Sequence, residues 1–131
     1  MKYLLDVNAI VAFGHTEHEF HARVAEWAVK MAQKEVPRFF TSPITELGFV
    51  RIMSQAYGAS VNQAQALLLK LKESEQYEFS FLVDDGDAPK LPSWVVLAKH
   101  STDGHLLELA KANGCELATF DTNIPDAFVI P

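Results

Sequence analysis

The sequence predicts a single α/β domain in which a mostly parallel central sheet is flanked by helices. Three observations carry this prediction. Short apolar segments of strand character alternate with longer segments of helical periodicity, the pattern of a parallel sheet built from strand–helix–strand units. The helical segments open on capping residues and close on glycine or asparagine. The 131 residues fit one domain of about 100–150 residues, and 49% hydrophobic against 21% charged residues supports a packed core. No repeat, low-complexity tract or linker divides residues 1–131.

Lys2-Tyr3-Leu4-Leu5 reads as a strand that stops at Asp6-Val7-Asn8. Residues 9–14 form a helical turn closed by Gly14. From His18 to about Gln33, Phe20, Val24, Trp27, Ala28 and Met31 lie on one helical stripe. Arg38–Thr41 is strand-like, and Ser42-Pro43 then supplies an N-cap and a first-position proline. That helix runs to about Ala56 and ends at Gly58. Ser60 and Gln63 form a capping box for a helix to about Gln76. Tyr77–Val83 is a strand, 84–92 an acidic loop with prolines, and a short helix starts near Ser93. Thr102 caps a helix from Asp103 to Ala112 that Asn113-Gly114 closes. Residues 116–120 and 127–130 supply the last strands.

Composition excludes several classes. One cysteine, Cys115, makes no internal disulfide and reads as a small buried hydrophobe. Apolar runs such as Trp94–Ala98 are far too short to span a membrane, and the first residues lack a signal peptide's apolar stretch. A soluble cytoplasmic domain is expected. Eleven Lys and Arg against 17 Asp and Glu give a net charge of −6, which argues against a nucleic-acid binder held by a basic face. It is compatible with an enzyme that collects carboxylates around divalent cations.

Parallel sheets place their sites beyond the carboxyl ends of the strands, and that rule selects among the acids. Asp6 and Asp121 directly follow strands. Asp103 and Glu46 sit on first turns of helices. One such residue alone is more often a turn or cap. If folding unites all four, their repulsion calls for a counter-charge, and oxygen ligands suit Mg²⁺ or Mn²⁺. Such ions activate a water and steady the leaving oxygen of a phosphodiester.

These acids stand in four blocks: Leu4-Leu5-Asp6-Val7-Asn8, Thr45-Glu46-Leu47-Gly48-Phe49-Val50-Arg51, Thr102-Asp103-Gly104-His105-Leu106-Leu107 and Leu117-Ala118-Thr119-Phe120-Asp121-Thr122-Asn123. In order and spacing, over nearly the whole chain, they resemble PIN domains, specifically the VapC-type ribonuclease toxins. The resemblance implies a Mg²⁺- or Mn²⁺-dependent RNA endonuclease that acts on structured RNA such as tRNA or rRNA. It implies inhibition by a small VapB-type antitoxin and a homodimeric assembly. It carries Asp6, Glu46, Asp103 and Asp121 over as the acidic, metal-binding set, with Asp6 and Asp121 as direct ligands. Glu46 and Asp103 are metal ligands or orient a water. Asn8, Thr119 and Asn123 match supporting polar positions, Thr119 serving either as a hydrogen-bonding group or only as packing. Gly104 departs from the family, which often has Ala there. An exposed apolar surface around Trp27 and Met31 is expected to receive the antitoxin, with a basic side chain entering the acidic pocket.

Other features carry less. His15, His18 and His21 read as a solvated helix entrance, since no cysteine accompanies them to make a zinc site. Asp84-Asp85-Gly86-Asp87 lacks the later ligands of a calcium loop and reads as an acidic turn. Arg51 is poised either for an RNA phosphate or for a carboxylate. Leu67, Leu68, Leu69 and Leu71 cover more than one face of their helix, so a second face meets either the same core or a partner. Three alternatives stay open: a housekeeping RNA-processing nuclease of the same fold, a DNA-directed one, and a non-catalytic, receiver-like acidic module. The last lacks the acidic pair after strand one and the lysine after the last strand.

Overall fold

Strands β1 (Lys2–Leu5), β2 (Arg38–Thr41), β3 (Glu78–Phe81), β4 (Glu116–Thr119) and β5 (Phe128–Val129) form one sheet in the order β3-β2-β1-β4-β5. Every neighbouring pair is parallel, with Leu4 opposite Phe40 on one side and Leu117 on the other. The computed structural model describes residues 1–131, and its helices are α1 (Val7–Gly14), α2 (His21–Ala32), α3 (Pro43–Tyr57), α4 (Val61–Lys72) and α5 (Ser101–Ala112). The strand order reverses at β1, which pairs with β2 on one edge and β4 on the other. That reversal leaves a crevice beyond the ends of β1 and β4.

Strand alternation splits the core into two layers. Tyr3, Leu5, Phe39 and Ala118 face a core shared with α1, α2, α3 and α4. Leu4, Phe40 and Leu117 face the other side, where Leu106, Leu107 and Ala110 of α5 cover them. Cys115 is buried in that second layer, as expected of a small hydrophobe. Both predicted helix starts at Ser42 and Ser60 are complete capping boxes, and Gly58 ends α3 at φ +72°.

Four boundaries differ from the sequence reading. Helix α2 begins at His21, three residues late, because the His18 ring accepts the Phe20 N–H at 3.0 Å and holds the chain in turns. Helix α4 stops at Lys72, well short of Gln76. No helix starts near Ser93; 3₁₀ turns at Ala88–Lys90 and Ala98–His100 flank that segment, with Pro89 and Pro92 interrupting it. Thr102 caps nothing, since α5 begins at Ser101 and its N-cap position, His100, makes no side-chain bond.

The exposed apolar surface expected around Trp27 is absent. Trp27 is 6% exposed and packs its indole against Tyr3, Phe39 and Phe128 at 4.9, 5.6 and 5.4 Å. The apolar stripe of α2 faces the core, with Val24, Trp27 and Ala28 buried in it. No helix is long and apolar enough to cross a membrane.

Candidate active site

Asp6 is the buried centre of the crevice. It ends β1 with extended backbone and N-caps α1, its Oδ1 accepting the Ala9 N–H at 2.7 Å. The residue is 5% exposed. Its carboxyl is pushed up to about 6, by burial above all and then by the charges of Asp103 and Asp121, against the lowering influence of the Thr119 hydroxyl and the Ala9 N–H. Asp103, on the first turn of α5, is also raised, by burial first and then by Asp121, with His100 acting in the opposite sense. Folding therefore brings Asp6, Asp103 and Asp121 within each other's field.

Thr119, the last residue of β4, links two of them. It is fully buried, its Oγ1 accepts the Asp121 N–H at 3.0 Å, and its hydroxyl acts on Asp6 by lowering that carboxyl. Asp121 Oδ1 in turn accepts the Asn123 N–H at 2.8 Å, so the turn after β4 is set by a side chain. Asn123 enters through its backbone alone. Asn8 is exposed on the first turn of α1, two residues after Asp6.

Glu46 lies on a different wall. Its Oε2 accepts from the Thr41 hydroxyl at 2.6 Å and from the Lys72 ammonium at 2.7 Å. Lys72, at the end of α4, also lies over the Phe81 ring at 5.3 Å. Sequence reasoning missed both partners. Thr41 reads as an ordinary strand residue, and Lys72 is 26 positions from Glu46 with nothing in the chain to link them. The site is thus three interacting aspartates beside a glutamate–lysine pair. Among all His, Cys, Asp and Glu side chains, no three are already drawn into a ligand sphere.

Two glycines set the walls. A Cβ on Gly48 would lie 2.6 Å from Val7 Cγ2, so α3, which carries Glu46, approaches α1 immediately behind Asp6. A Cβ on Gly104 would lie 2.4 Å from Val95 Cγ2, which explains glycine beside Asp103 in this chain. Two residues beyond Asp103, the His105 ring is 2.6 Å from Asp84 Oδ2, with both side chains mostly buried. Asp84 also accepts the Gly86 N–H at 3.1 Å, so the acidic turn straps its loop to α5.

Arg51 is exposed and pairs with no carboxylate, which removes one of its two expected roles. The histidines gather no site. His15 packs tilted against the Tyr57 ring at 4.3 Å, His18 accepts the Phe20 N–H, and His21 donates to the Ala12 carbonyl at 2.8 Å.

A five-stranded parallel sheet with acidic side chains gathered at its reversal point is the architecture of a PIN domain, a nuclease fold. Residues 3–128 match the PIN domain family model, and the chain belongs to that family. It is similar to Ribonuclease VapC38 of Mycobacterium tuberculosis (strain ATCC 25618 / H37Rv), with 35% identity over 129 residues that cover 92% of this chain and 86% of that protein. Ribonuclease VapC44 of Mycobacterium tuberculosis (strain CDC 1551 / Oshkosh) is 33% identical over 129 residues, covering 95% and 89%. The fold is shared with a chain from the crystal structure of VapBC2 from Rickettsia felis bound to a DNA fragment from their promoter. There the TM-score is 0.67 and the identity 14%, covering 98% of this chain and 96% of that one.

Proposed function

We propose that this chain is a divalent-cation-dependent endoribonuclease and the toxin of a toxin–antitoxin pair. One observation carries the reading: Asp6, Asp103 and Asp121 share a crevice in which no lysine or arginine pairs with any of them. Repelling carboxylates of this kind stand apart until a cation draws them together, and an all-oxygen donor set suits Mg²⁺ or Mn²⁺. Bound there, such an ion supplies the missing positive charge and Lewis acidity toward water and phosphodiester oxygens.

The chain's own residues do the rest. Asp6 and Asp121 hold the cation, with Asp6 fixed by the α1 N-terminus and Asp121 by Thr119. Asp103, kept above the usual carboxylate acidity range by burial, holds the cation or orients the attacking water. Glu46 acts from the adjoining wall in one of the same two capacities. Asn8 and Arg51 are exposed donors suited to RNA phosphates, whereas Asn123 serves through its backbone turn.

The same acidic crevice suits an antitoxin arginine, which pairs bidentately with carboxylates and displaces a cation. With Trp27 buried, the partner's apolar stretch takes a groove of about 400 Å³ beside Glu46, where Leu47, Leu69 and Phe81 are exposed. We further propose a homodimer and an RNA substrate of the tRNA or rRNA class. The test is cleavage of total tRNA and rRNA by purified protein with Mg²⁺, Mn²⁺ or EDTA, with Asp6→Asn as control. Cleavage that survives EDTA, or equal cleavage by Asp6→Asn, overturns the reading. Expression of the chain alone should arrest growth, and co-expression of its genomic neighbour should relieve that arrest.

A further inference from the structure

Glu46 is tied up in this structure in a way that the three aspartates are not. Its Oε2 accepts two hydrogen bonds at 2.6 and 2.7 Å, from Thr41 and Lys72, and its side chain is 20% exposed. Thr41 is fully buried at the end of β2, and Lys72 is 30% exposed. The ammonium is placed by three local features. The buried Leu68, one turn earlier, anchors α4 to the core; the Phe81 ring lies under the ammonium; and a helix C-terminus favours a cation. Meanwhile the charges that act on Asp6 come from Asp103 and Asp121.

We infer that Lys72 is a positioning residue that holds Glu46 out of the aspartate cluster, so its ammonium competes with a divalent cation for the fourth carboxylate. The inference rests on the cation-dependent reading above. A lysine suits this role, because its ammonium is a point charge on a flexible stem and gives up a partner without the loss of a bidentate geometry. With Lys72 in place, a cation at the aspartates gains Glu46 only by displacing the ammonium. Without Lys72, Thr41 alone holds Glu46, and the carboxylate is free to complete the cation's oxygen shell.

The test is a double-mutant cycle on the full chain with Mn²⁺ alone as probe, the free ion being read by its EPR signal with no RNA present. Lys72→Met should bind Mn²⁺ roughly three- to tenfold more tightly than the unmodified chain, and Lys72→Arg should stay near it. In a Glu46→Gln background, Lys72→Met should change affinity by less than about twofold. Equal tightening in both backgrounds overturns the inference, since Lys72 then acts on the aspartates through space. No tightening in the Glu46 background also overturns it, leaving the ammonium only a packing role over Phe81. If the unmodified chain binds no Mn²⁺, both this inference and the cation-dependent reading fall. Melting curves without metal check each fold, and Lys72→Gln replaces Lys72→Met if the latter does not fold.

Discussion

The Thr119 hydroxyl accepts the Asp121 N–H at 3.0 Å and lowers the Asp6 carboxyl, so one buried side chain acts on both acids at the ends of adjacent strands. Thr119→Val keeps the shape and β-branching but removes the bond to Asp121 and the hydroxyl that acts on Asp6. It should cost about 1–2 kcal/mol in urea unfolding and lower RNA cleavage by on the order of tenfold or more. Thr119→Ser should restore most of the activity. A fully active Thr119→Val would reduce this residue to packing.

Asp6 makes stability depend on pH with a defined sign. Its folded acidity constant is about 6 against an ordinary 3.8, so the folded state prefers the protonated form. That contribution is complete below about pH 4 and is lost as pH rises through about 6. The metal-free protein should therefore lose on the order of 2 kcal/mol from this group between pH 4 and pH 7.5. Asp6→Asn keeps an N-cap for α1, so it should raise stability at pH 7.5, flatten that slope and abolish cleavage. Urea titrations at both pH values, without metal, make the measurement. An unchanged slope in Asp6→Asn would assign the pH dependence elsewhere.

Millimolar Mg²⁺ or Mn²⁺ should raise the melting temperature at pH 7.5 by mass action on the folded state. The gain should shrink as pH falls below about 6, because the proton on Asp6 then competes with the cation. Thermal shift with Asp6→Asn, Asp103→Asn and Asp121→Asn combined should show no gain. The same shift in that triple variant would place the ions elsewhere.

Much of the architecture was legible because it rests on local signals. The two capping boxes and the short apolar run Tyr3-Leu4-Leu5 are written in neighbouring residues, and they locate α3, α4 and the central strand. Strand-end position alone selected Asp6 and Asp121. What stayed hidden depends on long-range approach. Nothing local distinguishes a stripe containing Trp27 that meets Tyr3 and Phe128 from one that faces a partner. The Glu46–Lys72 and Asp84–His105 pairs join residues 26 and 21 positions apart, so only the folded chain reveals them.

The burial of Trp27 reverses the effect expected of its loss. Trp27→Ala should destabilise the protein by about 3–5 kcal/mol, as a large aromatic removed from a core does. Any loss of antitoxin binding should then follow unfolding, with circular dichroism and binding falling together. A stable Trp27→Ala protein with weakened binding would restore an interface role. Leu47→Ala, at 69% exposure in the groove beside Glu46, should instead weaken binding with little change in stability.

Gly48 tests whether the approach of two helices sets the site. A Cβ there would sit 2.6 and 2.9 Å from the two Val7 methyl carbons, closer than real contacts allow. Val7 is β-branched and within a helix, so its χ1 is stiff and its methyls have no easy escape. Alanine would favour the helix by about 1 kcal/mol on propensity alone, so the clash and the propensity have opposite signs. Overpacking typically costs about 1–3 kcal/mol, and we expect it to win. Gly48→Ala should lower stability in urea and should lower cleavage further than stability explains, because α1 starts at Asp6 and Glu46 lies two residues before Gly48. Val7→Ala added to Gly48→Ala should recover both quantities. A Gly48→Ala protein more stable than the original would mean that α1 and α3 have room to spare, and their spacing would not then set the geometry of Asp6 and Glu46.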